Sequence, residues 1–186
     1  LIPNPSFENT NTSGGPVSWN KGGYGTNTRI FSYPVVGNNS AKAGKVSISN
    51  YSNGDAKWYF NDVSVKSGQK YQFSDYYLSD VPSIIDVRYK MTDGTYKYID
   101  IAFLNTSSTY QKATTQITIP PNVISLTIFH LIKTNGSLTV DNFSLNEITS
   151  TTTPPSLTNM VSNGDFETVN TNGLPLEWNK GGFGTN

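Results

Sequence analysis

The sequence predicts an all-β fold, a two-sheet antiparallel β-sandwich or jelly roll. Three observations predict it: apolar and polar residues alternate along short segments, turn dipeptides separate these segments, and the period of an amphipathic helix is absent. The composition agrees, because Ser, Thr and Asn fill 64 of the 186 positions. Thr favours strands, and Asn and Ser favour turns.

Turn signals divide the first 147 residues into roughly nine or ten strands. The clearest is Asp93-Gly94, which separates the alternating segments Ile84–Met91 and Tyr96–Phe103 as in a β-hairpin. With the N-terminal segment, this number of strands fits two packed sheets. The further strands that we predict are Thr28–Tyr33, Lys45–Tyr51, Trp58–Val65, Lys70–Leu78, Lys112–Ile119, Ile124–Ile132 and Leu138–Leu145.

Alternation along these strands predicts which side chains form the core. Asp75 and His130 are polar interruptions of inward-facing apolar rows. His130 is the only histidine, and we expect it to be partly buried with a polar partner such as Asp75. The apolar and aromatic residues expected to face inward on the best-defined strands are Tyr71, Phe73, Tyr77, Ile85, Val87, Tyr89, Met91, Ile99, Ile101 and Phe103.

An internal repeat is the strongest single signal. Residues 1–27 align with residues 160–186 without a gap, and 15 of the 27 pairs are identical. We therefore expect a first domain over 1–147, a Thr/Ser/Pro-rich linker over 148–159, and the N-terminal strand segment of a second tandem repeat over 160–186. A segment that short cannot bury a core alone, so Phe166 and Trp178 are expected to contact another domain.

A glycine-rich run, Lys21 to Asn27, recurs almost unchanged in the second copy. Gly22, Gly23 and Gly25 permit a tight loop or the close approach of another backbone. The run is interpreted as a turn that both copies share. The alternative is a joint between successive domains.

Charge and hydropathy exclude several classes of function. The formal net charge is zero and no basic run exists, so we predict no nucleic-acid partner. No run of 18 apolar residues exists, so we predict no membrane insertion. There is no Cys, so no disulfide can form. The profile is that of a secreted all-β protein, and we expect an extracellular or cell-surface location, in a bacterium.

Short motifs at the two ends and in the middle of the first domain carry a family resemblance. They are Asn4-Pro5-Ser6-Phe7-Glu8, repeated as Asn163-Gly164-Asp165-Phe166-Glu167, then the segment 65–74 and the closing segment 140–145. In order and spacing they resemble the jelly-roll carbohydrate-binding modules of the families grouped around 4, 9, 16 and 22. The resemblance covers about residues 1–147 and implies a polysaccharide or glycan as partner.

The resemblance also implies a structural calcium ion. The family's N-terminal Glu falls on Glu8, and its Asp in the last strand falls on Asp141. Calcium takes six to eight oxygen ligands, which backbone carbonyls near Ser6 and residues 42–45 could complete. The alternative is that both carboxylates are solvated or cap the backbone.

Sugar binding requires exposed aromatic rings and planar polar groups. Trp58 stands where such modules often carry a platform, with core packing as its alternative. For the outward tyrosines the alternatives are ordinary cross-strand pairing and an assembly interface. The candidate ligand-binding residues are Trp58, Tyr76, Arg88, Tyr96 and Tyr98, and Asp86 and Asp100 flank them.

Catalysis is not expected. A Ser-His-Asp triad would have to use His130, and no nucleophile-elbow motif accompanies it. The predicted function is therefore a non-catalytic, glycan-binding repeat of a larger tandem-repeat protein. The alternative is a structural repeat of a surface fibre, adhesin or filament, in which the next repeat's N-terminal strand docks on a neighbouring domain.

Overall fold

A computed structural model describes residues 1–149 and 161–182. The chain divides into two units, Leu1–Thr149 and Ser150–Asn186. The first unit matches the expected domain 1–147 closely, because Ile148 still donates its N–H to Lys70 O at 2.8 Å. The expected linker lies outside the described residues except for its first two positions. In the described part of the chain, no helix is long and apolar enough to cross a membrane.

The first unit is an antiparallel β-sandwich, and the predicted fold class is confirmed. Each predicted strand is found within a few residues of its expected bounds, except that Trp58–Val65 is divided in two. The strands are β1 Trp19–Tyr24, β2 Thr28–Val35, β3 Ala43–Ser49, β4 Asp55–Phe60, β5 Val63–Ser64, β6 Lys70–Ser79, β7 Ser83–Met91, β8 Tyr96–Leu104, β9 Ser107–Thr118, β10 Val123–Ile132 and β11 Gly136–Glu147.

Two sheets form the layers of the sandwich. Sheet 1 has the strand order β1-β4-β10-β7-β8, and the short β5 pairs with β10. Sheet 2 has the order β2-β3-β11-β6-β9. Most neighbours in each sheet come from distant parts of the chain, as in a jelly roll. The consecutive neighbours are β2 with β3, and β7 with β8, which form the hairpin that Asp93-Gly94 predicts.

The core lies between the sheets, and aromatic rings fill one part of it. Phe7 is fully buried and stacks on Trp19, with ring centroids 4.1 Å apart. Phe143 of β11 meets Phe7, Trp19 and Phe73 edge-on. Burial of each such side chain stabilises the fold by about 1.5–3 kcal/mol. The N-terminal segment is therefore held by its rings, although residues 1–18 form turns and no strand.

A chain of three polar side chains crosses the core. Asp75 Oδ2 lies 2.6 Å from His130 Nδ1, and His130 Nε2 lies 2.9 Å from Ser83 Oγ. Asp75 and His130 are completely buried, and Ser83 nearly so. The pairing of His130 with Asp75, expected from their interruption of apolar rows, is confirmed. It joins β6 of sheet 2 to β10 of sheet 1.

The inward row predicted on β8 is partly wrong. The register between β7 and β8 shifts by one residue between Ile85 and Asp86. Beyond this bulge the parity of β8 reverses, so Ala102 and Leu104 pack on the core while Phe103 is 75% exposed. Ile99 keeps the inward parity but is also exposed, because β8 is the edge strand of sheet 1.

Candidate functional site

A cleft of about 660 Å³ lies on the outer face of sheet 1. Trp58, Ile85 and Ile128 point into the core, so the alternate positions of β4, β7 and β10 face outward. Those outward positions supply most of the lining. The residues that line the cleft are Lys21, Gly22, Gly23, Tyr24, Asp55, Lys57, Tyr59, Asp86, Arg88, Tyr98, Phe129, Leu131 and Lys133.

Aromatic rings form the floor and one platform of the cleft. Phe129 of β10 is only 2% exposed although it faces away from the core. Tyr98 of β8 stacks on it with centroids 6.3 Å apart and planes 27° apart, and Tyr59 of β4 meets it edge-on at 5.6 Å. Tyr98 is itself 59% exposed. One face of its ring is therefore supported from below while the ring stays open to solvent.

Arg88 is fixed beside this platform. It is opposite Tyr98 in the β7–β8 register. Its guanidinium donates to Asp62 Oδ1 at 2.6 Å and lies 5.0 Å from the Tyr96 ring and 5.4 Å from the Tyr59 ring. Stacking between rings and pairing with a carboxylate restrict the side chain, so its donors are positioned before any ligand arrives.

Acidic and basic side chains line the part of the cleft beyond Tyr98. Lys57 Nζ forms a 2.7 Å ion pair with Asp55 Oδ1 and lies 4.8 Å from the Phe129 ring centroid. Asp86 is opposite Asp100 across β7 and β8. Burial raises the pKa of Asp86 most, and the hydrogen bond to Asp100 and that residue's charge add to it against the opposing charges of Lys57 and Lys133, so that the pKa of Asp86 reaches about 7. Asp86 is therefore partly protonated near neutral pH.

Strand β1 forms one wall of the cleft. Its residues Lys21 to Tyr24 belong to the repeated glycine-rich run, so the interpretation of that run as a turn holds only for Gly25–Asn27. A Cβ at Gly22 would lie 2.9 Å from the ring of Tyr59. Glycine is needed there because the strand passes directly against the Tyr59 ring, an arrangement that no local sequence pattern predicts.

The structure brings three of the five predicted ligand-binding residues together. Arg88, Tyr96 and Tyr98 adjoin on the outer face of sheet 1. Trp58 is in the core, where its Nε1–H donates to Lys45 O at 3.0 Å, so the core-packing alternative is correct for it. Tyr76 is on β6 of sheet 2 and cannot join the others, because parity alone does not reveal to which sheet a strand belongs.

Sequence reasoning missed the floor and the wall of the cleft. Phe129 and Leu131 follow the outward parity of β10, yet both are buried. Strand β10 is apolar on both parities, which indicates that both faces of the strand are covered. This signal was present in the sequence. The contribution of Tyr59 and Lys57 from β4 had no comparable signal.

Known structures share this architecture at low sequence identity. A family 4 carbohydrate-binding module covers 80% of this chain and 100% of its own, at 15% identity and a TM-score of 0.55. The CBM22-1 xylan-binding domain of Paenibacillus barcinonensis covers 78% and 92%, at 14% identity and 0.53. Tailspike protein 4 of bacteriophage CBA120 matches over 79% of this chain but only 21% of its own, at 16% identity and 0.61. No protein-family model and no curated protein matches the sequence.

The fold is that of the jelly-roll carbohydrate-binding modules. At these identities the likeness establishes the architecture of the CBM-like domain, residues 1–149, and leaves its ligand to be argued from the residues of the cleft. The sequence motifs that carried the resemblance contribute side chains to the core of this domain. Phe7 is a central core ring, and Val140 and Leu145 are core residues of the last strand.

The two carboxylates of the expected calcium site both accept hydrogen bonds from residues 38–42, which precede β3. Glu8 Oε1 accepts the Lys42 N–H at 2.8 Å, and Asp141 Oδ2 accepts from the Ser40 hydroxyl at 2.5 Å. Burial raises the pKa of Asp141, and the charge of Glu8 raises it further. Oxygen atoms converge here, since a Cβ at Gly37 would lie 2.6 Å from Asp141 Oδ2 and 2.7 Å from Lys42 O. Carboxylate, hydroxyl and carbonyl oxygens are ligands that calcium takes, while the N–H groups of Asn38 and Lys42 donate to the two carboxylates in this structure.

The second copy of the repeat reproduces the local structure of the first. Phe166 and Trp178 lie with ring centroids 4.7 Å apart, as Phe7 and Trp19 do at 4.1 Å. Trp178 Nε1 donates to Asn163 O at 2.9 Å, as Trp19 Nε1 donates to Asn4 O at 3.0 Å. Phe166 is 49% exposed and Trp178 is 42% exposed, whereas their counterparts are buried. Their contact with another domain stays a prediction.

Proposed function

We propose that the CBM-like domain is a non-catalytic glycan-binding module that holds a polysaccharide chain in the cleft of sheet 1. The observation that carries this proposal is the exposed ring of Tyr98, supported by the buried ring of Phe129 and flanked by Arg88. The apolar face of a sugar ring stacks on such a platform, and fixed charged groups hydrogen-bond its hydroxyls. The shared fold of the xylan-binding domain supports a polysaccharide as the class of ligand.

Binding without catalysis is favoured by the position of the buried polar chain. Ser83, His130 and Asp75 have the hydrogen-bond order of a catalytic triad. Asp75 and His130 are completely buried and Ser83 is 1% exposed, so access of a substrate to the Ser83 hydroxyl is very restricted. A nucleophile must touch the atom that it attacks. The chain of hydrogen bonds therefore serves to join the two sheets.

Isothermal titration with glycans selected on an array tests the proposal. Tyr98→Ala removes the platform and should weaken binding by at least tenfold, since ring stacking is its main contact. Tyr76→Ala is the matched control, because it removes a tyrosine from sheet 2, and it should bind as the wild type does. If no polysaccharide or glycan binds, or if both variants bind equally well, the cleft is not the site.

We extend the proposal to the setting of the domain, an extracellular or cell-surface protein with tandem repeats. The composition, rich in Ser, Thr and Asn and without Cys, is typical of secreted β-sandwich proteins. The second copy, with its matching hydrogen bonds, supports a tandem arrangement. Fractionation of the native host, with an antibody against this chain, tests the location.

A structural calcium ion is part of the same proposal. Glu8, Asp141 and the Lys42 carbonyl would hold it, and it would neutralise two adjacent carboxylates and tie the N-terminal segment to β11. The convergence of oxygens beside Gly37 supports this assignment.

A second function, assembly into a fibre, adhesin or filament, is favoured by a different observation. Phe166 and Trp178 keep the arrangement of two core rings but are about half exposed. Exposed apolar rings of this size are typical of interaction surfaces. Docking of residues 161–182 on a neighbouring domain would bury them.

Light scattering of the full 186-residue chain over a concentration range tests assembly. If docking occurs, the wild type should associate and Trp178→Ser should remain monomeric. Thr171→Ala, in the same segment, serves as the control and should associate as the wild type does. A wild-type chain that stays monomeric at all concentrations would contradict this function and leave glycan binding untouched.

A further inference from the structure

We propose that the ligand of the cleft is a polysaccharide that carries carboxylate groups and is rich in uronic acid. This inference rests on the proposed glycan-binding function. The observation is that four cationic side chains from four separate segments reach one cleft in a chain whose net charge is zero. The acidic residues that line it are Asp55 and Asp86. The cations are Lys21, Lys57, Arg88 and Lys133.

The acids of the cleft are largely neutralised from within the protein. Asp55 is committed to Lys57 through a 2.7 Å ion pair. Burial and the neighbouring carboxyl of Asp100 raise the pKa of Asp86 to about 7. Arg88 is paired with Asp62, and Lys133 lies beside Asp100. With Asp86 protonated, the four cations of the cleft therefore exceed the three carboxylates beside them by one positive charge, which favours an anionic chain.

The remaining cations stand where substituents of a stacked sugar would point. Arg88 is opposite Tyr98 in the register, so it flanks a sugar on that platform. Asp100 is the next outward residue of β8 after Tyr98, about 7 Å along the strand, and Lys133, which follows β10, lies beside it. The 3.5 Å distance between Lys133 Nζ and Asp100 Oδ2 is long for an ion pair, and both side chains are about a third exposed. A ligand carboxylate can replace Asp100 as the partner of Lys133.

The same geometry couples binding to pH. The neighbours of the Asp86 carboxyl come from three directions. Asp100 lies opposite it on β8, and the ring of Phe129 lies opposite it on β10. The nearby cations are Lys57 on β4, which is paired with Asp55, and Lys133 after β10. Protonation of Asp86 removes one of the negative charges near a bound carboxylate. Binding of a carboxylated chain should therefore tighten from pH 8 to pH 6. A neutral chain has no such dependence.

Titration calorimetry with pairs of polymers tests this inference on the intact chain. The probes are polygalacturonate, alginate, hyaluronan and glucuronoxylan, each beside the same polymer with its carboxyl groups reduced to alcohols. At least one native polymer should bind ten times more tightly than its reduced form. That affinity should fall as NaCl rises from 50 to 300 mM, and it should be higher at pH 6 than at pH 8.

Two variants make the result specific to the cleft. Lys133→Met should weaken binding of the native polymer several-fold and leave binding of the reduced form unchanged. Asp86→Asn should abolish the difference between pH 6 and pH 8. Equal affinity for native and reduced forms would overturn the inference and leave glycan binding intact. If neither these polymers nor neutral xylan and β-glucan bind, the proposed function itself is overturned.

Discussion

Tyr98 and Phe129 form a two-ring stack on the outer face of sheet 1, with one ring 59% exposed and the other 2% exposed. Packing of Phe129 against the outer face of β10 positions the Tyr98 ring above the sheet, where a ligand can stack on it. An exposed tyrosine on an edge strand would otherwise sample several rotamers. Support from below reduces the entropy that a ligand must remove on binding.

The first prediction concerns the wall of the cleft. Gly22→Ala places a Cβ 2.9 Å from the Tyr59 ring, so the ring must move and the edge-on contact with Phe129 is disturbed. We expect glycan affinity to fall several-fold and the free energy of unfolding to fall by about 1 kcal/mol. Gly15→Ala is the control, since its Cβ meets only Asn11 at 3.5 Å, and it should change neither quantity. Unchanged affinity in Gly22→Ala would contradict this account of β1.

The second prediction concerns the buried polar chain. His130→Leu leaves the carboxyl of Asp75 in the core without its nitrogen donor, and we expect the free energy of unfolding to fall by about 3–5 kcal/mol. Urea denaturation measures the loss. The double variant Asp75→Leu/His130→Leu removes both groups and should be more stable than His130→Leu alone. A double variant that loses the sum of two large single effects would show that the pair is not a coupled unit.

The third prediction is a pH dependence of stability. The folded-state pKa of Asp86, about 7, exceeds its ordinary value of 3.8 because of burial and Asp100. Between these values the folded chain holds a proton that the unfolded chain has released, so the contribution of Asp86 to stability is full below 3.8 and is lost as pH rises through 7. Denaturation at pH 5 and pH 8 should show a decline for the wild type.

Two variants isolate this effect from other titrating groups. Asp86→Asn should flatten the decline between pH 5 and pH 8. Asp93→Asn should keep it, because the Thr95 hydroxyl lowers the pKa of the exposed Asp93 below its ordinary value, outside this range. An unchanged slope in Asp86→Asn would show that protonation of Asp86 does not cause the decline.

The fourth prediction concerns calcium. Addition of a chelator should lower the Tm of the wild type, and added calcium should restore it. Asp141→Asn removes one proposed ligand and should abolish the response to both. Asp80→Asn, which loses only hydrogen bonds to Ser137 at an exposed turn, should respond as the wild type does. If the Tm of the wild type does not change on addition of chelator or calcium, the two carboxylates only cap the backbone.

The sequence predicted the features that depend on local pattern. Asp93-Gly94 marked the β7–β8 hairpin because tight hairpin loops place a glycine at positive φ. Gly94 adopts this conformation in a three-residue loop that the hydrogen bond from Met91 N–H to Thr95 O closes at 2.9 Å. The interruption of two apolar rows identified Asp75 and His130 as partners because a buried polar group needs a partner.

Features that depend on the arrangement of strands in space could not be predicted from the sequence. A one-residue bulge in β8 turned Phe103 outward, and alternation cannot anticipate a bulge. Tyr76 and Tyr98 share an outward parity but stand on opposite sheets, because strand order in a jelly roll does not follow the chain. For the same reason, the approach of β1 to Tyr59 could be found only in three dimensions.

The central claim, that the outer face of sheet 1 binds glycan, is tested most directly by NMR titration of the isotope-labelled chain with the oligosaccharide that binds most tightly. We predict that chemical-shift changes concentrate at Tyr59, Arg88, Tyr98 and Phe129, while Tyr76 and the outer face of sheet 2 remain unchanged. Shifts centred on sheet 2, or none at saturating ligand, would contradict the claim.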